Sequence, residues 1–210
     1  MSSRLVLALD ETDPARALEI AKLVSPFVAK IKINYPLVLS AGLGVVTEIS
    51  KFCPVICDFK VADIPNTNRL ISEAVFEAGA SGIIAHAFPG PESLRAIKEV
   101  DDSKEIYVVI TMSHPRGGEF FDIERFCELA LEVGVTGVIA PATRPEDVAK
   151  IRKLVGNLKI ISPGVGAQGG SSRETLKAGA DYIIVGRGIY LSDDPAAAAE
   201  KYSREFSIND

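Results

Sequence analysis

Histidine and cysteine are scarce in this 210-residue chain, and their scarcity closes off several chemistries. The two histidines, His86 and His114, are far apart and form no HxxxH or HExxH spacing, so a zinc-hydrolase pattern is missing. The three cysteines, Cys53, Cys57 and Cys127, make no CxxC pair and no even set. They read as free, buried thiols in a reducing compartment rather than as disulfides, ligands or nucleophiles. No Lys/Arg-rich block offsets the net charge of -5, which argues against a nucleic-acid partner. It leaves an anionic small substrate open, because charge at a site can oppose net charge. Before Asp10 the apolar run is only about six residues, too short for a signal peptide or a membrane span. A cytoplasmic protein with no membrane partner is the expectation. No GxGxxG follows the first apolar run, where the sequence reads DETDP, so a dinucleotide-binding open sheet lacks its main support.

What is present is a rhythm. With 47% hydrophobic and 24% charged residues, residues 1–210 suit one globular domain. Apolar runs at 4–10, 28–33, 53–59, 82–86, 105–111, 137–141, 158–162 and 181–186 read as strands. Helical patterns at 13–24, 36–49, 65–78, 91–100, 121–134, 144–155, 171–179 and 194–206 alternate with them. Gly42 and Gly44 weaken the second helix. Strands that read as continuous Val/Ile/Leu runs belong to a parallel sheet buried on both faces. Eight such units predict an α/β fold, a (β/α)8 TIM barrel in a single domain.

The densest chemistry lies in 54–67, PVICDFKVADIPNT. Asp58 and Lys60 alternate along a strand and should share a face. Asp63 follows a turn's worth of chain later, and Pro65 suits the first turn of a helix. In a barrel of this kind the active site is built at the C-terminal ends of the strands. The other polar residues expected there are Asp10, Lys32, His86, Thr111, Ser113, His114, the stretch Pro163–Gly170, and Gly186-Arg187-Gly188. A ring of structural ion pairs is the plain alternative. Against it stand two lysines clustered among three carboxylates in a confined mouth, where pairing only just recovers the lost solvation. His86 reads as a strand-end residue satisfied by a backbone carbonyl, and His114 as a shaper of its loop. The glycine-rich segment 163–175 and the segment 186–195 follow strands seven and eight, where such barrels bind phosphate through backbone N–H groups. Arg187 adds a fork of donors suited to that anion. No metal is expected, since Lys32 and Lys60 occupy the room and supply the positive charge.

These residues resemble the orotidine 5'-monophosphate decarboxylase family in its short archaeal form. The resemblance spans essentially the whole chain and rests on Asp10 in LALD, Lys32 in KIN, DFKVADIPNT, MSHP at 112–115, PGVGAQGG at 163–170 and GRGIY at 186–190. It implies loss of CO₂ from orotidine 5'-monophosphate to give UMP, with no cofactor and no metal. Lys60, Asp58, Asp63 and Lys32 would be the catalytic residues. Asp10, Lys32, Thr67, Ser113, Pro163, Gln168, Gly186 and Arg187 would bind substrate. Asp63 and Thr67 would reach into the partner's site in a homodimer. The D-x-K-x-x-D-I segment is shared with Mg²⁺-dependent phosphosugar barrels of the 3-keto-L-gulonate 6-phosphate decarboxylase and hexulose 6-phosphate synthase type. Those carry an acid near the end of strand two, where this chain has Lys32. A non-catalytic barrel that binds a phosphorylated ligand is a third alternative, and it would be expected to have lost Lys60 or a flanking acid.

Overall fold

Each of the eight apolar runs forms a strand, and each strand pairs in parallel with its neighbours. In the computed structural model, which describes residues 3–166 and 168–207, the order β1 to β8 closes on itself into a barrel. The strands are β1 Leu5–Leu9, β2 Lys30–Asn34, β3 Val55–Val61, β4 Gly82–His86, β5 Glu105–Val109, β6 Gly137–Ile139, β7 Lys159–Pro163 and β8 Tyr182–Val185. The helices are α1 Pro14–Val24, α2 Tyr35–Ala41, α3 Gly44–Ser50, α4 Pro65–Glu77, α5 Pro91–Lys98, α6 Ile123–Val133, α7 Pro145–Val155, α8 Ser172–Lys177, α9 Arg187–Tyr190 and α10 Pro195–Ser207.

Alternation along the strands divides the core in two. Val6, Ala8, Ile56, Ile84, Tyr107, Val109, Ile139, Ile161 and Ile184 form one apolar cluster. Their strand neighbours Leu5, Leu7, Ile31, Val55 and Ile83 belong to a second, larger cluster that includes the buried faces of the helices. Strands buried on both faces explain why the sequence shows continuous rather than alternating apolar runs. Lys32 lies beside Ala8 and Ile56 in register, so the same alternation carries its ammonium inward.

Local chemistry accounts for several boundaries. Asp13 caps α1 by accepting from the N–H groups of Ala15 and Arg16, with Pro14 in the first turn. Gly134 closes α6 in the left-handed conformation at φ 69°. The helix expected over 36–49 is two helices, because Gly42 takes φ 73° between α2 and α3. β6 stops at Ile139 rather than 141, shortly before Pro141, which has no N–H to donate. β3 runs on to Val61, past the expected end at 59. The short helix α9 was not expected. Cys53, Cys57 and Cys127 are free and buried, as expected. Burial pushes the Cys57 and Cys127 thiols up to about 12, which keeps them protonated and unreactive. No helix among the described residues is long and apolar enough to cross a membrane.

Candidate active site

The C-terminal mouth of the barrel gathers two positive charges around one carboxylate. Asp58 on β3 receives Lys32 Nζ on Oδ2 at 3.0 Å and Lys60 Nζ on Oδ1 at 2.8 Å. Lys32 and Asp58 are buried, whereas the Lys60 side chain is 34% exposed. Burial alone would raise the pKa of Asp58. The charges of Lys32 and Lys60, with their hydrogen bonds, outweigh that and hold the carboxyl below its ordinary range. The group is therefore a carboxylate between two ammoniums, with one positive charge in excess.

Asp58 and Lys60 do meet, but not by regular strand alternation. β3 pairs with β4 at Cys57–Ile83 and next at Val61–Ala85, so β3 bulges between those points. Lys60 sits inside the bulge with φ 46°, in the left-handed region that L residues other than glycine seldom adopt. The bulge turns the Lys60 side chain back onto Asp58.

Above this group opens a cavity of about 290 Å³. Ile84, Val109, Ile139 and Ile184 supply an apolar floor. Asp10, Lys32, Asp58, Lys60, Thr111, Ser113, Pro163, Gln168, Gly186 and Arg187 line it, which brings together most of the expected site. Asp10 Oδ1 is buried and has no hydrogen-bond partner among the described residues. The loop after β7 folds on itself through Gly170 N–H donating to the Gly164 carbonyl at 2.9 Å. A Cβ at Gly170 would lie 2.7 Å from that carbonyl oxygen, so the close approach requires glycine. Ala167 of the same loop lies outside the described residues.

Asp63 and Thr67 do not line this cavity. The Asp63 side chain is exposed and accepts from the N–H of Ile64 at 2.7 Å, and its carbonyl accepts from Ser93 Oγ at 2.8 Å. His86 departs from expectation. Its Nδ1 is buried with no hydrogen-bond partner among the described residues, rather than being satisfied by a carbonyl. The ring lies against Phe88 at 5.0 Å and Phe121 at 5.7 Å, and burial, with the nearby Lys60 charge, lowers its pKa so that it favours the neutral form. In the loop after β5 the His114 carbonyl accepts from Gly117 N–H at 2.9 Å.

Some lining residues escaped the sequence reading. Tyr190 on α9 and Tyr202 on α10 border the Arg187 end of the cavity. A Cβ at Gly188 would lie 2.8 Å from the Tyr202 hydroxyl, so the glycine already flagged in GRG was the available signal. Arg144 and Thr143, after β6, hold the segment that carries Ser113. Arg144 Nη2 donates to Thr111 Oγ1 and to the Met112 carbonyl, both at 2.8 Å, while Thr143 Oγ1 donates to the Ser113 carbonyl at 3.2 Å. Among the described residues, no group of three or more His, Cys, Asp or Glu side chains is placed to hold a metal ion.

Comparison with known proteins places this arrangement. Residues 3–202 match the profile of the family described as Orotidine 5'-phosphate decarboxylase / HUMPS family. The chain is 56% identical over 210 residues to the orotidine 5'-phosphate decarboxylase of Methanococcoides burtonii, covering 98% of each. It is 50% identical to that of Thermococcus kodakarensis, covering 97% of this chain and 96% of the relative. Among solved structures, orotidine 5'-monophosphate decarboxylase from Methanocaldococcus jannaschii, complexed with inhibitor BMP, superposes with a TM-score of 0.92 at 41% identity, covering 98% of this chain and 99% of the other. The enzyme from Pyrococcus horikoshii gives 0.90 at 46% identity, covering 97% and 99%. From matched sequence, shared fold and a lysine-flanked carboxylate at the barrel mouth, the chain belongs to the orotidine 5'-phosphate decarboxylase / HUMPS family.

Proposed function

We propose that residues 1–210 form one catalytic domain that decarboxylates orotidine 5'-monophosphate to UMP and CO₂, the protein's own side chains supplying the charge. The observation that carries this reading is Asp58 gripped between Lys32 and Lys60 at the base of a half-apolar cavity. When the bond from C6 to the carboxyl group breaks, CO₂ departs and the electron pair stays on C6, with no adjacent π system to spread it. Lys60 places a fixed ammonium there and then gives its proton to C6, leaving UMP and a neutral amine that solvent reprotonates. At about 4 Å and an effective dielectric near 20, one such charge is worth about 4 kcal/mol. Enzymatic accelerations require roughly 8–23 kcal/mol, so Lys60 does not act alone.

The rest comes from binding. Arg187 and Gln168 stand where they can grip the phosphate, with the segments after β7 and β8 closing around it. Phosphate binding far from C6 then holds the pyrimidine against the charged group. Asp10, which lines the cavity, accepts from a ribose hydroxyl. Ser113 binds the base, Pro163 and Gly186 shape the pocket wall, and Lys32 keeps Asp58 charged and in place. Asp58 in turn orients Lys60 beside the departing carboxylate. Asp63 and Thr67 serve the partner's site in a homodimer, which fits their position outside this chain's cavity and the exposed apolar side chains of Ile64, Leu70 and Phe88. The compartment is the cytoplasm. Lys32 separates this reading from the phosphosugar branch of the family, because an ammonium paired to Asp58 takes the place of the acid that would help bind Mg²⁺.

Lys60→Ala tests the assignment. Turnover of orotidine 5'-monophosphate should fall by roughly 10⁴-fold while UMP affinity changes by less than about tenfold. Parental turnover in this variant would refute the role given to Lys60.

A further inference from the structure

The backbone that carries Lys60 needs support that β4 does not give. Between the Cys57–Ile83 and Val61–Ala85 pairs, three residues of β3 face only Ile84 of β4. Lys60 and Arg116 are the only non-glycine residues with positive φ among the described residues, and Arg116 belongs to an exposed loop. Such a conformation persists only where surrounding contacts over-determine it. Here the contacts come from the other side, at the junction of β2 and α2. Tyr35 donates its hydroxyl to the Phe59 carbonyl at 2.9 Å and stacks its ring on Phe59 at 4.9 Å, with planes 16° apart. That carbonyl belongs to the planar peptide unit leading into Lys60, so fixing its direction fixes where the Lys60 backbone begins.

We propose that Tyr35 is a positioning residue for Lys60: its hydroxyl and ring hold the Phe59–Lys60 peptide so that the ammonium is aimed at Asp58 and at the reacting carbon. The role rests on Lys60 as the proton donor. Two features favour it over simple packing. Phenylalanine would serve the ring stack equally well, so the hydroxyl is explained only by the carbonyl it reaches. Tyr35 is also 46% exposed, and so contributes little to the buried core. Burial and the Asp58 charge push its phenol up, which keeps the donor protonated across the physiological range. The end of β2 thus holds the end of β3 at two points, Lys32 on the Asp58 carboxylate and Tyr35 on the next carbonyl.

Tyr35→Phe keeps the ring and removes the donor. Measured beside the parent and Lys60→Ala, it should lose about five- to tenfold in kcat, with UMP affinity unchanged and Tm lowered by no more than about 4 °C. Tyr35→Leu, which also removes the stack, should lose more in kcat than Tyr35→Phe. A loss of kcat accompanied in proportion by weaker UMP binding and a large fall in Tm would assign Tyr35 to general folding and overturn the role. Parental kcat in Tyr35→Phe beside an inactive Lys60→Ala would overturn it alone. Parental turnover in Lys60→Ala would remove the reading on which it stands.

Discussion

The barrel carries charge at both ends, and the two ends use it differently. Toward the N-terminal end, Lys30 on β2 meets both oxygens of Glu105 on β5, at 2.9 and 2.7 Å. Toward the mouth, Lys32, two residues further along the same strand, meets Asp58, which is already held by Lys60. The first is a closed pair in which one charge consumes the other, set beside the buried Tyr107. The second is a carboxylate shared by two ammoniums, and the excess positive charge sits on Lys60, whose side chain reaches the cavity. A neutral pair seals one end of an apolar barrel. An unbalanced group stores a charge that a substrate anion, or an electron pair left on carbon, can complete.

Breaking the mouth should produce the largest effect. Asp58→Asn leaves two ammoniums without their shared counter-ion, and kcat on orotidine 5'-monophosphate should fall by roughly 10²–10³-fold, with a lowered Tm as well. Arg187→Ala lies farther from the chemistry and should lower kcat/KM by roughly 10²-fold. The loss should be much smaller for the substrate without its phosphate, since the arginine then has no anion to grip. Lys30→Met sharpens the contrast from the other end. It should destabilise the fold by about 2 kcal/mol in urea unfolding while kcat stays within about twofold of the parent, and Lys30→Met with Glu105→Gln should recover part of the stability. The smallest effect is on acid stability. Asp58 has a depressed native pKa, so its contribution is complete above its unfolded value near 3.9 and is lost as pH falls through the lower native value. Tm measured against pH should therefore drop more steeply for the parent than for Asp58→Asn below about pH 4.

The same contrast shows what the sequence could disclose. All eight strands were legible, because strands buried on both faces appear as unbroken apolar runs. Asp10, Lys32, Asp58, Lys60, Ser113, Gln168 and Arg187 were legible as the polar residues at strand ends, and all line one cavity. The bulge was not, since periodicity carries no sign of a lysine at φ 46°. Nor was the orphaned Nδ1 of His86, which depends on how Phe88 and Phe121 pack around it. The helix α9 is four residues long, too short for any repeat to register. Tyr202 enters the site from the last helix, and nothing local to it points there. Asp63 is adjacent in sequence to the charged group and yet outside the cavity, because the chain has already turned toward α4.

The most direct test of the account is ultraviolet absorbance of orotidine 5'-monophosphate mixed with the purified protein in excess EDTA. Conversion to UMP at an undiminished rate is the predicted result, because Lys60 and not a metal ion supplies the charge at C6. No conversion, with activity on 3-keto-L-gulonate 6-phosphate appearing once Mg²⁺ is added, would contradict it and assign the chain to the phosphosugar branch of the family.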